Sequence, residues 1–545
     1  MCTSANKVGQ QIGARGARPG PNAPRPCGTG PIGRPVALAM AFLLTMGCTV
    51  GPKYVRPPVQ TPTTYKEIPQ AAGNESEFWQ TSQPRDGTKR GEWWKVFNDP
   101  QLNELEDKAS SSNQEIVAAT NNFLAARALV REARAQYFPT VTTNPGITNE
   151  RPSPGQFGGL RAGSSMGVSL SVKSYTNYSL PFDASWEPDF WGRVRSGVKS
   201  NVYAAQATAA DLENVRLSVH AELAADYFEL RAQDSLKEVL DSTVNAYQDA
   251  LNLNRAQYRA GLGTDEAVAQ AEAQLKAAQA QDTNLGILRA QYEHAIAVLV
   301  GEPASTFSLP VKSHPTNPPN IPAGVPSELL ERRPDIAAAE RSVAQANAQI
   351  GVAKTAYFPS ILLSAAGGFG NSSASNWFTW PSRFWSVGPS LAETLFDAGL
   401  RRATMEQYRA SYEAAVANYR QTVLTAFQQV EDNLASLRIL SQDIEQQDSA
   451  VGAAARSLQE ATARYKAGLD PYLNVISAQT ILLDDQQTAV NFRMQQMVAS
   501  VQLIKALGGG WDSAQLPSPN QLKTKMGRSP GYPDDRPREG GSVGY

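Results

Sequence analysis

The sequence predicts a mainly α-helical chain, built twice over, with four β-strands that form part of a membrane barrel. Three observations predict it. Two stretches, Val198 to Ala260 and Leu400 to Ala467, contain no proline and a single glycine, Gly452. A set of landmarks recurs in one order: "LVREARAQYFPTV" with "IGVAKTAYFPSI", "FWGRVR" with "FDAGLRR", "AQYRAGLGTDEAV" with "ARYKAGLDPYLNV", and "VLVGEP" with "KALGGGW". After each Phe-Pro comes a run rich in β-branched and aromatic residues, broken by Gly, Ser and Asn, which is how hairpins read. A repeat of this kind settles the architecture before any single element does.

Bulk properties bound the rest. The 545 residues carry a net charge of −1 with a pI near 6.4 and a mean hydropathy of −0.36. That leaves no electrostatic footprint for nucleic acid. No stretch after residue 50 approaches the roughly 20 apolar residues a spanning helix needs, so membrane insertion is open only to a β-barrel.

Taken in order, residues 1–47 are a lipoprotein signal segment. Lys7, Arg15, Arg18, Arg25 and Arg34 precede any acidic residue, and "PVALAMAFLLTMGC" follows as an apolar run ending in Gly-Cys. This resembles a bacterial lipoprotein signal, in which Cys48 is acylated and becomes the new N-terminus. Cys2 and Cys27 would leave with the signal, and a lone Cys48 makes neither a disulfide framework nor a metal site. Residues 48–92 read as an extended, lipidated tether, because "GPKYVRPPVQTP" packs four prolines into twelve residues.

The first repeat, 93–325, starts a helix near Pro100 that runs at helical spacing to Phe138 and stops at Pro139. Strands are expected near 140–149 and 168–188, with the 150–166 loop between them. A helix on the order of 90–100 Å long follows, and a return helix spans 264–300. The second repeat, 326–511, echoes this with a helix near 327–357, strands near 358–369 and 385–396, a second long helix, and a return helix over 471–507. Residues 512–545 read as a disordered tail. In each half the short helices before the hairpin and after the break add up, end to end, to one long helix. Four strands cannot close a barrel alone and leave two bare edges, which oligomerisation would cover.

Leu240, Val244, Tyr247, Leu251, Asn254 and Tyr258 step 4-3-4-3-4, as do Val423, Phe427, Val430, Leu434 and Leu437; these are coiled-coil seams. The two breaks turn each helical hairpin at the far end of the column. Gly261, Gly263 and Gly468 supply positive φ there, and Pro471 restarts a helix in its first turn.

"CTVGPKYVRPP", "WWKVFNDPQLNEL", "WEPDFWGRVRS", "LLERRPDIAAAE", "IGVAKTAYFPSI", "RYKAGLDPYLNV" and "KALGGGW" together resemble the outer-membrane factor family of tripartite efflux systems. The TolC-like fold is implied, in the branch of OprM/NodT-type lipoproteins. The resemblance covers nearly all of residues 45–511. It implies a homotrimer in the outer membrane with a periplasmic tunnel, four strands per protomer, and docking to a periplasmic adaptor and an inner-membrane RND-type pump. It further implies a periplasmic gate at the tip, with Arg464 and Tyr465 in side-chain links and Leu473 at an apolar constriction. Ser477 stands where such relatives often carry an aspartate ring. Asp470, Asp265 and Glu266 are then the nearest acids, and basic tips are expected to meet acidic ones on neighbouring hairpins. Tyr465 also falls seven residues after Leu458, so seam packing and gating are both open to it.

Catalysis finds no support. "GSSMG" at 163–167 fits G-x-S-x-G, but it lies in a Gly/Ser loop rather than between a buried strand and a helix. His220, His294 and His314 lack metal-ligand spacing, and the first two sit on helices, where packing explains them. No cofactor is expected beyond lipid on Cys48, and no P-loop is present to supply energy. The expectation is a passive conduit carrying small molecules. A type I protein secretion channel is the alternative, and a structural coiled-coil lipoprotein a more distant one.

Overall fold

The computed structural model describes residues 50–67, 92–151, 174–312, 318–319, 321 and 326–523. The chain divides into Met1–Gly47 and Cys48–Tyr545, and every described residue belongs to the second unit. Cys48, the segment with Ser165, most of the 150–166 loop and His314 lie outside the described residues.

The duplication is metrical. Helix α1 spans Pro100–Ser112 and α2 Gln114–Ala135. The long α3 (Arg193–Arg259) and return α4 (Asp265–Leu299) follow the first hairpin. The second half has α5 (Leu329–Arg332), α6 (Pro334–Thr355), the long α7 (Leu400–Lys466) and the return α8 (Tyr472–Ala506). Each long helix has 67 residues, each return helix 35, and α2 and α6 have 22 apiece. Starting residues of α2 and α6 are 220 apart; those of α3 and α7, and of α4 and α8, are 207 apart.

One expectation is corrected in both halves. The helix read as continuous from Pro100 to Phe138 breaks at Asn113 (ψ 126°), whose Oδ1 accepts from the N–H groups of Glu115 and Ile116. The helix near 327–357 breaks 220 residues on, at Arg333 (ψ 124°), because Pro334 forces its predecessor out of the helical region. These breaks seat the return helices. Asn113 Nδ2 donates to Leu299 O at the end of α4, and Arg333 to Ala506 O at the end of α8. The short helices do meet end to end, and the contact is close. A Cβ at Gly301 would come within 2.5 Å of Ser112 O, and one at Gly508 within 2.0 Å of Arg332 O.

The sheet runs β1 (Thr140–Thr143) and β2 (Gly146–Glu150) against β3 (Tyr175–Trp186), then β4 (Ser360–Asn371) and β5 (Arg383–Ala392), all antiparallel. The first expected strand is therefore two pieces. Both keep one register on β3, Thr143 opposite Phe182 and Gly146 opposite Ser179. The gap holds Pro145, which has no N–H for the ladder. The last strand stops at Ala392 instead of 396. Asp397 instead accepts from the N–H groups of Gly399 and Arg401, capping α7.

Opposed residues share a face. Val141, Ala184, Ala365 and Val387 form one row, and Phe182, Gly367 and Trp385 another. Asp183, Ala366 and Ser386 lie on the opposite face. The apolar face is bare, with Trp385 80% and Val387 71% exposed. Among the described residues no helix is long and apolar enough to cross a membrane.

A strap crosses the middle of the column. Residues 93–97 form a 3-10 turn before α1, and both lie on α3. Trp94 stacks on His220 at 4.5 Å, Phe97 packs on Phe228, Tyr227 donates to Asp99, and Arg231 to Gln101. Under the strap His220 Nδ1 lies 2.6 Å from Glu106 Oε2. Burial pushes the Glu106 carboxyl well up, with Asp107 adding to it, and pulls His220 down to about 4, with Arg216 adding to that.

The expected tail is also corrected. Residues 513–515 form a 3-10 turn and α9 spans Pro519–Lys523. Leu522 is buried against Val130, Val194 and Val202. Residues 524–545 lie outside the described residues.

Candidate functional site at the paired helical turns

Each long helix ends in the same reversal. Gly261 N–H donates to Tyr258 O and Leu262 N–H to Gln257 O; Gly468 donates to Tyr465 O and Leu469 to Arg464 O, all within 2.9–3.0 Å. This paired pattern satisfies the last carbonyls and needs a left-handed residue at its centre. Gly261 and Gly468 provide it at φ 72° and 71°. Gly263 does not: its φ is not positive, and its role is proximity, since a Cβ there would lie 3.2 Å from Gln257 Cβ. The restarts differ. Thr264 Oγ1 accepts from Ala267 N–H, whereas Pro471 takes the capping position one residue before α8 rather than its first turn.

The structure brings Tyr465 across to the other hairpin. Its hydroxyl lies 2.5 Å from Asn254 Oδ1 and 2.7 Å from Gln257 Oε1, both on α3, and its ring packs on Tyr472 at 5.2 Å. Tyr472 and Val475 in turn sit among Tyr247, Leu251, Ala271 and Leu275. Burial raises the Tyr465 hydroxyl, and it pushes Tyr472 up to about 12, with Tyr465 and Tyr247 adding to the shift. Both stay protonated, so Tyr465 donates to an amide oxygen at every physiological pH. The ring of Tyr465 packs in the seam while its hydroxyl reaches the other hairpin.

Arg464 pairs within its own turn. Its Nε and Nη2 grip Asp470 at 2.6 and 3.1 Å within the same turn. That hydrogen bond holds the Asp470 carboxyl below the usual range and raises Arg464 in step. Pairing across six residues closes a short loop, which costs less entropy than reaching another hairpin. Asp265 and Glu266 stand in the first turn of α4, where Gln270 donates to Glu266. Leu473 is 55% exposed, and Leu469 and Leu262 of the two turns are more exposed still. Ser477 turns its hydroxyl back to Leu473 O, so no acid occupies that level of α8.

Sequence reasoning missed Asn254 and Gln257 as the partners of Tyr465. One signal was available: Asn254 is the sole amide in an otherwise apolar seam, and it is 2% exposed. His220 is buried and satisfied as expected, whereas His294, for which packing was also expected, is exposed on α4. No cluster of potential metal ligands occurs among the described residues.

A sheet with one bare apolar face, continued by paired long helices linked at their far turns, defines a channel-like column protein of the membrane. The outer membrane efflux protein family matches residues 105–302 and 325–509, and the chain belongs to that family. It is 31% identical over 488 residues to the solvent efflux pump outer membrane protein SrpC of Pseudomonas putida, covering 87% of this chain and 98% of the relative. Among solved structures, the outer-membrane channel OprN aligns at a TM-score of 0.75 and 29% identity, over 85% of this chain and all of that one. The open-state MtrE channel of Neisseria gonorrhoeae aligns at 0.71 and 25%, over 86% and 99%.

Proposed function

We propose that the chain is the outer-membrane conduit of a tripartite efflux system, a passive trimer opened at its periplasmic tip by an adaptor and an RND-type pump. The observation that carries this is continuity. Trp186 of β3 and Arg193 of α3 are seven residues apart, so the sheet with its bare apolar face feeds straight into the linked helices. A lipid-facing sheet and a water-filled helical bore are thereby one wall.

Equal helices with unequal cover support the trimer. Helix α3 carries thirty buried residues and α7, of the same length and repeat position, only nine. Leu217 is 9% exposed while its counterpart Leu424 is 58% exposed. Neighbouring copies would cover α7, and the same closure would pair the free edges of β1, β2 and β5. Relatives named for solvent and toluene efflux favour small-molecule cargo over secreted protein.

At the tip, the bond from Tyr465 to Asn254 and Gln257 acts as a latch between hairpins. Arg464 and Asp470 hold the turn in shape, and exposed Leu473 narrows the bore. Asp265 and Glu266 offer charge to the adaptor. No cofactor takes part, and lipid on Cys48 anchors the N-terminus. Purified protein in a planar bilayer should give discrete, low-conductance openings in threefold assemblies. A bilayer left silent by heat-resistant trimers would sink the proposal.

A further inference from the structure

The halves repeat so closely that contacts inside one chain specify contacts between chains. In the chain the first hairpin (α3/α4) meets the second (α7/α8) on one side only. In a closed ring the second hairpin must meet the first hairpin of the next copy on its other side. The 207-residue offset converts one junction into the other. Residues of the first hairpin move forward by 207, and those of the second move back by 207 onto the next copy.

Applied to the latch, the rule is specific. Tyr465 becomes Tyr258 of the next copy, Asn254 becomes Ala461, and Gln257 becomes Arg464. Applied one turn further along, the contact of Gln274 with Thr480 becomes Ile481 against Ala273 of the next copy. The residues concerned are uncovered in the single chain: Tyr258 is 49% exposed and Ile481 57%. Both are apolar enough to gain from cover.

We infer that Tyr258 of one copy rests on Ala461 and Arg464 of its neighbour, and that this seam, unlike the one inside each chain, is unlatched. The chemistry follows from the substitutions. The two amide oxygens within reach of the one Tyr465 O–H are replaced by a methyl group and a guanidinium, which offers no acceptor. The guanidinium is moreover turned to Asp470 of its own turn. The copy–copy seam therefore rests on apolar and cation–π contact alone. Dilation of the tip therefore has a hydrogen bond to break at each in-chain seam and none at a copy–copy seam. This rests on the trimer proposed above.

Two cysteine pairs test the geometry in the full-length membrane-extracted protein with a short bifunctional maleimide. Tyr258→Cys with Ala461→Cys should give covalent dimers and trimers on a denaturing gel. Asn254→Cys with Tyr465→Cys should give cross-linked monomers. Monomers from the first pair, in protein whose native mass is that of a trimer, would overturn the seam. A native mass other than a trimer would instead overturn the ring on which the seam depends. Function gives a second readout. Ala461→Asn builds the missing acceptor and should lower open-state conductance at least twofold, and adding Tyr258→Phe should restore it. An Ala461→Asn effect that survives Tyr258→Phe, or no effect in either variant, counts against the unlatched seam.

Discussion

Glu106 lies wholly buried under the strap, its Oε2 2.6 Å from His220 Nδ1, with Trp94 stacked on the imidazole. Burial shifts the two groups in opposite directions, and the pH dependence follows by taking each in turn. The folded carboxyl is raised above its ordinary 4.5, so its contribution is present at low pH and fades as pH rises above 4.5. The folded imidazole is lowered from 6.5 to about 4, so its contribution is present at high pH and fades as pH falls below 6.5. Between 4.5 and 6.5 the two slopes oppose one another, so the carboxyl's effect is read by removing it. Glu106→Gln, which keeps the shape without the charge, should lose the fall in thermal stability that the carboxyl imposes as pH rises above 4.5; an unchanged profile in that variant would place the fall elsewhere. At the tip, Tyr465→Phe removes a hydroxyl with two amide partners. The loss is about 1 kcal/mol per site, repeated in each copy. Single-channel conductance should rise and cells should admit vancomycin, with trimer content unchanged. Arg464→Ser alone should do less, since its partner is Asp470 of the same turn. Equal effects of the two variants would refute that ranking.

At the scale of elements, two glycines on α7 and its turn separate backbone effects from packing. Gly468 sits at φ 71° with open space around a new Cβ. Gly468→Ala should therefore cost about 1–2 kcal/mol from the left-handed backbone alone. Gly452 lies inside the helix, where a Cβ would meet only Arg456 at 3.9 Å. Gly452→Ala should gain about 0.5–1 kcal/mol. Amide exchange across residues 450–470 measures both, and the prediction fails if the two move the same way. The long helices and their breaks were legible because Gly and Pro punctuate them and nothing else in the chain runs so far without either. The breaks at Asn113 and Arg333 were not, since apolar spacing continues through a one-residue interruption. Their signals were local: Asn113 with free N–H groups two and three residues on, and Pro334. The C-terminal α9 escaped notice because Pro and Ser dominate its surroundings. Yet Ser518 and Gln521 form a reciprocal cap, each side chain bonded to the other's N–H. The Arg464–Asp470 pair was not legible either: sequence shows which charges exist at a tip, while a partner six residues away in one turn costs less entropy to reach than one on a second hairpin.

On the scale of the whole described unit, the N-terminal segment is a strap along the second repeat. Its course was legible as extended from its prolines, but its moorings were not, because they are single polar contacts with no sequence period. Val50 N–H reaches Trp191 O at 3.4 Å beside the foot of the sheet. Gly51 crosses Gly351 so closely that a Cβ would lie 2.9 Å from the Gly351 Cα. Tyr54 bonds to Glu340, Arg56 donates to Tyr419 and Leu330 O, and Glu431 accepts from two successive N–H groups, Lys66 and Glu67. Arg438 closes the run on Glu67 at 2.7 Å. Each exposed contact is worth little, about 0.2–1 kcal/mol, but they act along one segment whose entropy is lost once. The strap is thus held by protein over its full described length, independently of any lipid at its start. Cys48→Ser should abolish labelling by radioactive palmitate and leave heat-resistant trimers in the outer membrane. Gly51→Val should do the reverse: labelling persists, while the crossing with Gly351 is forced apart and trimer yield falls severalfold. Loss of trimers in Cys48→Ser would make the lipid part of assembly. Full yield in Gly51→Val would show that the strap's moorings do not depend on that crossing.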